Sequence, residues 1–151
     1  MTPTQLLIIT LARACIGEAG WDAHETGECA AITFVHLSRS DNTAQGRTRT
    51  AIKYSSALTG KRTWIRGLTL DGNRPKTFPN LRWGPHKRHL LETIKVVRGI
   101  LNGRVKNPCP GATIYGSQQD WKAKTWKGYE QVCGDKGWGN LFGRKIGKKE
   151  K

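Results

Sequence analysis

The sequence predicts one α+β domain, mainly helical, with a small β-hairpin or sheet near the C-terminus. Three observations carry this expectation. The chain has 151 residues, the length of a single domain, and can bury a real core without a partner. Apolar residues recur at helical spacing in three segments before residue 102. Beyond them the pattern shortens to brief strand-like runs among Gly and Pro.

Thr2-Pro3-Thr4-Gln5 reads as a helix start, with Thr at the N-cap, Pro at the first helical position and Gln three residues after the cap. Leu7, Leu11, Ala14 and Cys15 share one face of this helix, which should stop near Gly17 or Gly20. A second helix is expected from about His24 to Arg39, with Ala30, Ala31, Phe34, Val35 and Leu37 as its apolar stripe. Residues 40–84 are polar, basic and punctuated by Gly and Pro; one short helical turn is expected around Ala51–Leu58. Pro85 opens the clearest helix: Leu90, Leu91, Ile94, Val97 and Leu101 repeat at helical spacing, and Gly103 suits its C-terminal cap. Lys87, Arg88, Glu92, Lys95 and Arg98 should face solvent. Ala112-Thr113-Ile114-Tyr115 reads as a strand, with Trp138–Phe142 as its partner. The domain is placed at residues 1–143, and 144–151 reads as a frayed basic tail.

Charge narrows the function. The chain carries 26 Lys and Arg against 11 Asp and Glu, a net +15, which calls for a polyanionic partner. Residues 1–43 hold two basic and five acidic groups, whereas residues 44–106 hold fifteen basic groups and only Asp71 and Glu92 as acids. A nucleic-acid module needs no concentration of carboxylates; an enzyme acting on an anionic polymer uses both. No apolar run approaches the ~18 residues of a membrane span. No basic stretch precedes Leu6-Leu7-Ile8-Ile9, so no secretory signal peptide is expected and delivery would need another route. Cys15, Cys29, Cys109 and Cys133 form no CxxC pair; proximity in sequence favours Cys15–Cys29 and Cys109–Cys133 as disulfides, with four buried thiols as the alternative.

Glu18 is the acid best placed for chemistry. It stands in Ile16-Gly17-Glu18-Ala19-Gly20-Trp21, where the first helix ends. The negative end of the helix dipole and the apolar neighbours would both raise a carboxyl pKa, as a general acid requires. A solvated glutamate at a helix end is the alternative. His86 and His89 are three apart on the Pro85 helix but have no third ligand nearby in sequence, so they read as surface residues and no metal or other cofactor is expected. His24 and His36 have no recognisable nucleophile partner. Gly60-Lys61-Arg62-Thr63 fails as a phosphate-binding loop, because Ser55 stands where the first Gly is needed and no apolar strand leads into it.

Three segments in order carry a resemblance. Residues 11–39 contain Gly17-Glu18-Ala19, Gly27, Ala30-Ala31 and Leu37-Ser38-Arg39. Pro108-Cys109-Pro110-Gly111-Ala112-Thr113-Ile114-Tyr115-Gly116 forms a Gly-Ala strand, and Trp138-Gly139-Asn140-Leu141-Phe142 closes the set. Together, over about a third of the chain, they resemble the bacterial cell-wall hydrolase family that includes the spore cortex-lytic enzymes, and look closest to its bacteriophage-type members. The chain departs from that pattern in having Leu141 where a His is often found, and Ile114-Tyr115 in place of bulkier aromatic pairs.

The resemblance implies a lysozyme-like domain acting on peptidoglycan, with Glu18 at the family's catalytic glutamate. It favours a lytic transglycosylase, which works with one carboxylate and leaves an anhydro-sugar. A hydrolase needs a second carboxylate, for which Asp22 and Glu25 are nearest in sequence; both also suit helix capping. Trp21, Tyr115 and Trp121 lie in or beside the matched motifs and are the expected sugar-stacking rings, with Asp120 as a polar contact. Trp64, Trp83, Trp126 and Trp138 read as partly buried structural residues. Peptidoglycan is the expected partner, in phage lysis or wall penetration, either from the virion beside other virion proteins or released to the host periplasm. A basic nucleic-acid-binding protein and a non-catalytic virion component are the rivals.

Overall fold

Thr2 opens the central helix of the molecule. In the computed structural model, which describes residues 1–78, 82–122, 126–134 and 137–147 (Lys122 by its backbone alone), α1 runs Pro3–Ala19. Thr2 Oγ1 accepts from Gln5 N, and Gln5 Oε1 accepts from Thr2 N, the reciprocal box its spacing predicts. Leu7–Ala12 and Ala14–Ile16 are buried on all sides, so α1 is the axis around which the other helices pack. Gly20 closes it, with its N–H returned to the Ile16 carbonyl.

The expected second helix is two. Gly27, with φ of 86°, breaks it into α2 (Ala23–Thr26) and α3 (Glu28–Ser38). A left-handed residue cannot continue a right-handed helix, and Gly occupies that conformation without a Cβ penalty. Ala30, Ala31 and Val35 are buried as the stripe requires; Phe34 and Leu37 are half-buried.

The basic middle departs most from its sequence reading. It holds three helices, α4 (Ala44–Tyr54), α5 (Ser56–Thr59) and α6 (Thr63–Arg66), where one short turn was expected. Thr43 Oγ1 accepts from Gly46 N to cap α4, and Ala51, Ala57, Leu58 and Ile65 supply its small apolar contacts with α1. Tertiary packing thus converts a polar segment of weak periodicity into helix. α7 spans Trp83–Leu101, starting two residues before Pro85. Leu90, Ile94 and Val97 are buried with Ile100, whereas Leu91 is exposed; the five charged residues face solvent as expected.

The C-terminal part carries a three-stranded antiparallel sheet ordered β1-β3-β2, from β1 (Ile114–Ser117), β2 (Tyr129–Cys133) and β3 (Asn140–Lys145). A short helix, α8 (Gln118–Lys122), follows β1. Tyr115 pairs with Phe142 and Ser117 with Asn140. Fully buried Phe142 seats the sheet on the helical core. β2 and α8 had no sequence signal strong enough to predict them. The expected boundary at 143 falls inside β3, whose Arg144 pairs with Glu130 of β2; the domain therefore continues through Lys145. Residues 148–151 of the expected tail lie outside the described residues.

Both disulfides follow the sequence-proximal pairing. Cys15–Cys29 joins α1 to α3, and Cys109–Cys133 ties the loop before β1 to the end of β2. Among the described residues no helix is long and apolar enough to cross a membrane.

Candidate active site

Glu18 projects from the last turn of α1 toward the start of α5. Its Oε1 accepts three hydrogen bonds: from Ser55 Oγ at 3.0 Å, Ser56 Oγ at 3.3 Å and Ala57 N at 3.0 Å. Among the described residues, Oε2 has no hydrogen bond. The surroundings therefore differ from the apolar setting that the flanking Gly, Ala and Trp suggest. One oxygen is anchored by donors and the other is left open.

The close approach that permits this depends on Gly17. A Cβ placed there would collide with Ala57 Cβ and come within 3.1 Å of Ile65 Cδ1. Gly17 thus lets α5 lie against α1, which brings the Ala57 amide to the Glu18 carboxylate.

Behind Ser55, His36 and Tyr115 continue a polar interior that sequence did not disclose. Tyr115 on β1 lies close to Ser55, and its hydroxyl lies 2.9 Å from His36 Nε2. Ser55 and His36 are each 1% exposed. Burial pushes the Tyr115 hydroxyl well above its ordinary pKa, and the nearby Glu18 charge adds to the shift, so the phenol stays protonated. Burial, assisted by the Arg39 charge, lowers His36 to about 4, so its ring is neutral near pH 7. Ser55 donates to Glu18 Oε1, and the Tyr115 hydroxyl shares one hydrogen bond with His36 Nε2. His36 Nδ1 has no partner among the described residues.

A second carboxylate, Glu28, secures the back of the site. It is 2% exposed and receives Gly139 N, Asn140 N and Asn140 Nδ2 at 2.8–3.3 Å. Asn140 Nδ2 also donates to the Glu18 carbonyl at 3.1 Å, satisfying one of the carbonyls left over at the end of α1. Asn140 lies in the Trp-Gly-Asn segment singled out from sequence; Glu28 carried no signal of its own inside the helix expected from about His24.

Of the expected sugar-binding residues, Tyr115 lies near enough to Glu18 for that charge to act on its phenol. Trp21 joins a half-buried aromatic cluster, stacked on Trp64 at 5.5 Å and 11°, with Phe78 and Trp83 edge-on and His86 at 4.7 Å. Trp121 packs on Trp126, with centroids 4.8 Å apart. Asp120 Oδ2 accepts from Ser117 N while Asp120 N donates to Ser117 Oγ, so its carboxylate caps α8. Trp64, Trp83, Trp126 and Trp138 are half-buried, as expected.

A shallow groove of about 390 Å³ runs beside β1, lined by Arg39, Tyr54, Thr113, Ile114, Tyr129 and Lys145. Arg39 lies 4.7 Å above the Tyr54 ring and donates to the Thr113 carbonyl, so a cation is fixed at its wall. Other grooves of comparable size, along residues 67–77 and between Thr26, Pro108 and Trp138, lie on different elements; Glu18 lines none of these three.

His89, read with His86 as a surface residue lacking a third ligand, is half-buried. The fold sets it against His24 and Glu25 of α2. Comparison with protein-family models, curated proteins and solved structures returns no match for this chain.

Proposed function

We propose that the protein cleaves the MurNAc–GlcNAc glycosidic bond of peptidoglycan as a lytic transglycosylase, with Glu18 as its acid and base. The division of labour between the two Glu18 oxygens carries this reading. Oε1 is fixed by three donors, which sets the carboxyl plane; Oε2 is free to exchange a proton with substrate. The Glu18 carboxyl protonates the glycosidic oxygen as the bond to C1 breaks. The resulting carboxylate then takes the proton of the muramic acid's own hydroxyl, which closes on C1 to give the anhydro-sugar.

Nearby carboxylates support one catalytic acid over two. A hydrolase sets its pair about 5–5.5 Å or 6.5–9.5 Å apart. Glu28 is consumed by the β3 amides, and Glu25 gathers with two histidines. Asp22 stands exposed at the N-cap of α2. Tyr115, kept protonated by burial and by the Glu18 charge, brings a neutral phenol to the edge of the site. The groove holding Arg39 and Lys145 suits an anionic glycan and its attached polymers. Two disulfides fit work at the cell wall, whether the protein is carried in a phage particle or released in lysis.

The test is incubation with purified sacculi and mass spectrometry of the soluble products. Anhydro-muropeptides are expected from the wild type, with release falling about 10²–10⁴-fold in Glu18→Gln. Reducing-end muropeptides would replace the transglycosylase with a hydrolase. No release by folded protein, together with salt-dependent retention of DNA, would move the reading to a nucleic-acid-binding protein.

A further inference from the structure

α2 and α7 meet through a cluster that plays no part in the Glu18 network. His24 Nε2 and His89 Nδ1 are 2.9 Å apart, from residues 65 positions apart in the chain. Glu25, next to His24, adds a carboxylate, and the three potential ligand atoms all lie within 4.8 Å of one another. Both rings are half-exposed and Glu25 is exposed, so an ion could enter from solvent without opening the core.

We propose that His24, Glu25 and His89 form a binding site for a zinc-class divalent cation that clasps α2 to α7. The donor set selects the ion: two imidazoles and one carboxylate suit Zn²⁺ and its neighbours, whereas Ca²⁺ and Mg²⁺ need shells of oxygen. Spacing agrees with this choice. Two nitrogens on one tetrahedral zinc, each at about 2.0–2.1 Å, stand roughly 3.4 Å apart. The present pair must therefore separate by only about half an ångström. Both rings bind through lone pairs, so the ring now donating its proton moves it to its other nitrogen, and neutral rings release no net proton. Glu25 reduces the charge of the ion from +2 to +1, which matters in a chain already at +15. Water fills the fourth position of a three-ligand site.

The clasp has a structural consequence. α2 lies between the end of α1, which carries Glu18, and Gly27, where the backbone turns into α3. Trp21 in the same segment already rests on His86, one turn before His89 on α7. An ion at His24 and His89 would fix the other end of that segment to the same helix. It would also close a long loop, which removes more entropy from the unfolded chain than a short one.

The proposal is independent of the peptidoglycan reading, and its test uses no activity. Full-length protein with intact disulfides is freed of metal with a chelator, then titrated with ZnCl₂ by calorimetry and melted with and without zinc. One saturable equivalent and a zinc-dependent rise in Tm are expected. His24→Ala and His89→Ala should each weaken binding by at least about 100-fold, the upper end of what outer-shell partners cost. Glu25→Gln should weaken it about tenfold and shrink the Tm shift; this residue is exposed, so the variant reports on the ligand set even where a histidine variant melts early. Glu130→Gln, an exposed carboxylate on β2, should leave zinc affinity unchanged. Absence of saturable binding at millimolar zinc would overturn the proposal, as would binding that survives in the His24→Ala/His89→Ala double variant.

Discussion

Glu18 and Glu28 stand ten residues apart in the same acidic third of the chain, and the fold uses them in opposite ways. Glu28 is buried and receives two backbone amides and an Asn side chain across both of its oxygens. Glu18 is half-buried and has all three donors on one oxygen. A carboxylate satisfied on both oxygens has nothing left for a ligand; it holds architecture. One satisfied on a single oxygen is positioned yet still available. Asn140 connects the two, binding the Glu28 side chain and the Glu18 carbonyl with the same amide. The buried carboxylate is therefore tied, through one amide, to the backbone of the half-buried one.

Exchanging the two roles gives the largest expected effect. Glu28→Ala removes the acceptor of two backbone amides and of the Asn140 side chain at the junction of α3 and β3, and should cost about 3–5 kcal/mol of stability in denaturant melts. Glu18→Gln keeps a hydrogen-bond acceptor for the same donors and should stay within about 1 kcal/mol of wild type while losing the proposed wall-cleaving activity. Equal destabilisation by the two variants would break the distinction between them.

His36 sharpens the comparison through pH. Its pKa is lowered from an ordinary 6.5 to about 4, first by burial and then by Arg39. Between those values the unfolded chain binds a proton at this ring and the folded chain does not, so stability falls as pH drops from about 6.5 toward 4. The loss attributable to His36 should approach about 3 kcal/mol at the lower limit. His36→Gln, which keeps a donor for Tyr115 but cannot titrate, should flatten that part of a stability–pH curve. An unchanged slope would mean that the ring is reached by solvent and lies outside the buried polar interior behind Ser55.

Part of the fold was readable in the chain, and the illegible part has a physical cause. The Thr2–Gln5 box, the Gly20 stop and the Leu90-Ile94-Val97 stripe are local signals, and α1 and α7 follow them closely. Glu18 at the end of α1 was legible for the same reason. Its donors were not: Ser55, Ser56 and Ala57 sit 37–39 residues away in a polar segment whose helices exist because α1 packs against them. The His24–His89 contact is likewise a product of tertiary folding, since α7 alone offers two histidines and no third ligand. Gly27 lay in plain view within an apolar stripe, yet only its left-handed backbone reveals that one expected helix is two.

Gly17 tests whether close approach of α5 sets the Glu18 geometry. In an exposed helix Gly→Ala gains up to about 1 kcal/mol from backbone entropy. Here the added methyl would overlap Ala57 Cβ, with Ile65 Cδ1 close behind, so the sign should reverse. Gly17→Ala is expected to destabilise by about 1–3 kcal/mol and to move the Ala57 amide away from Oε1. The proposed wall-cleaving activity should fall further than stability does. A variant as stable and active as wild type would show that α5 yields without disturbing the carboxylate.

Ser55→Ala is the mildest perturbation and separates anchoring from any coupling to Tyr115. It removes one of three donors to Glu18 Oε1 and the hydroxyl beside Tyr115, while Ser56 Oγ and Ala57 N continue to hold the carboxylate. Loss of one such bond costs about 1–2 kcal/mol. If Ser55 only anchors, activity falls about tenfold at every pH and the shape of the pH–rate profile is kept. If Ser55 also conveys the influence of neutral His36 and Tyr115 to Glu18, the acidic limb of the profile moves as well. Pairing Ser55→Ala with Tyr115→Phe in a double-mutant cycle decides between these: additive losses mean separate anchors, and a shared loss means one connected chain.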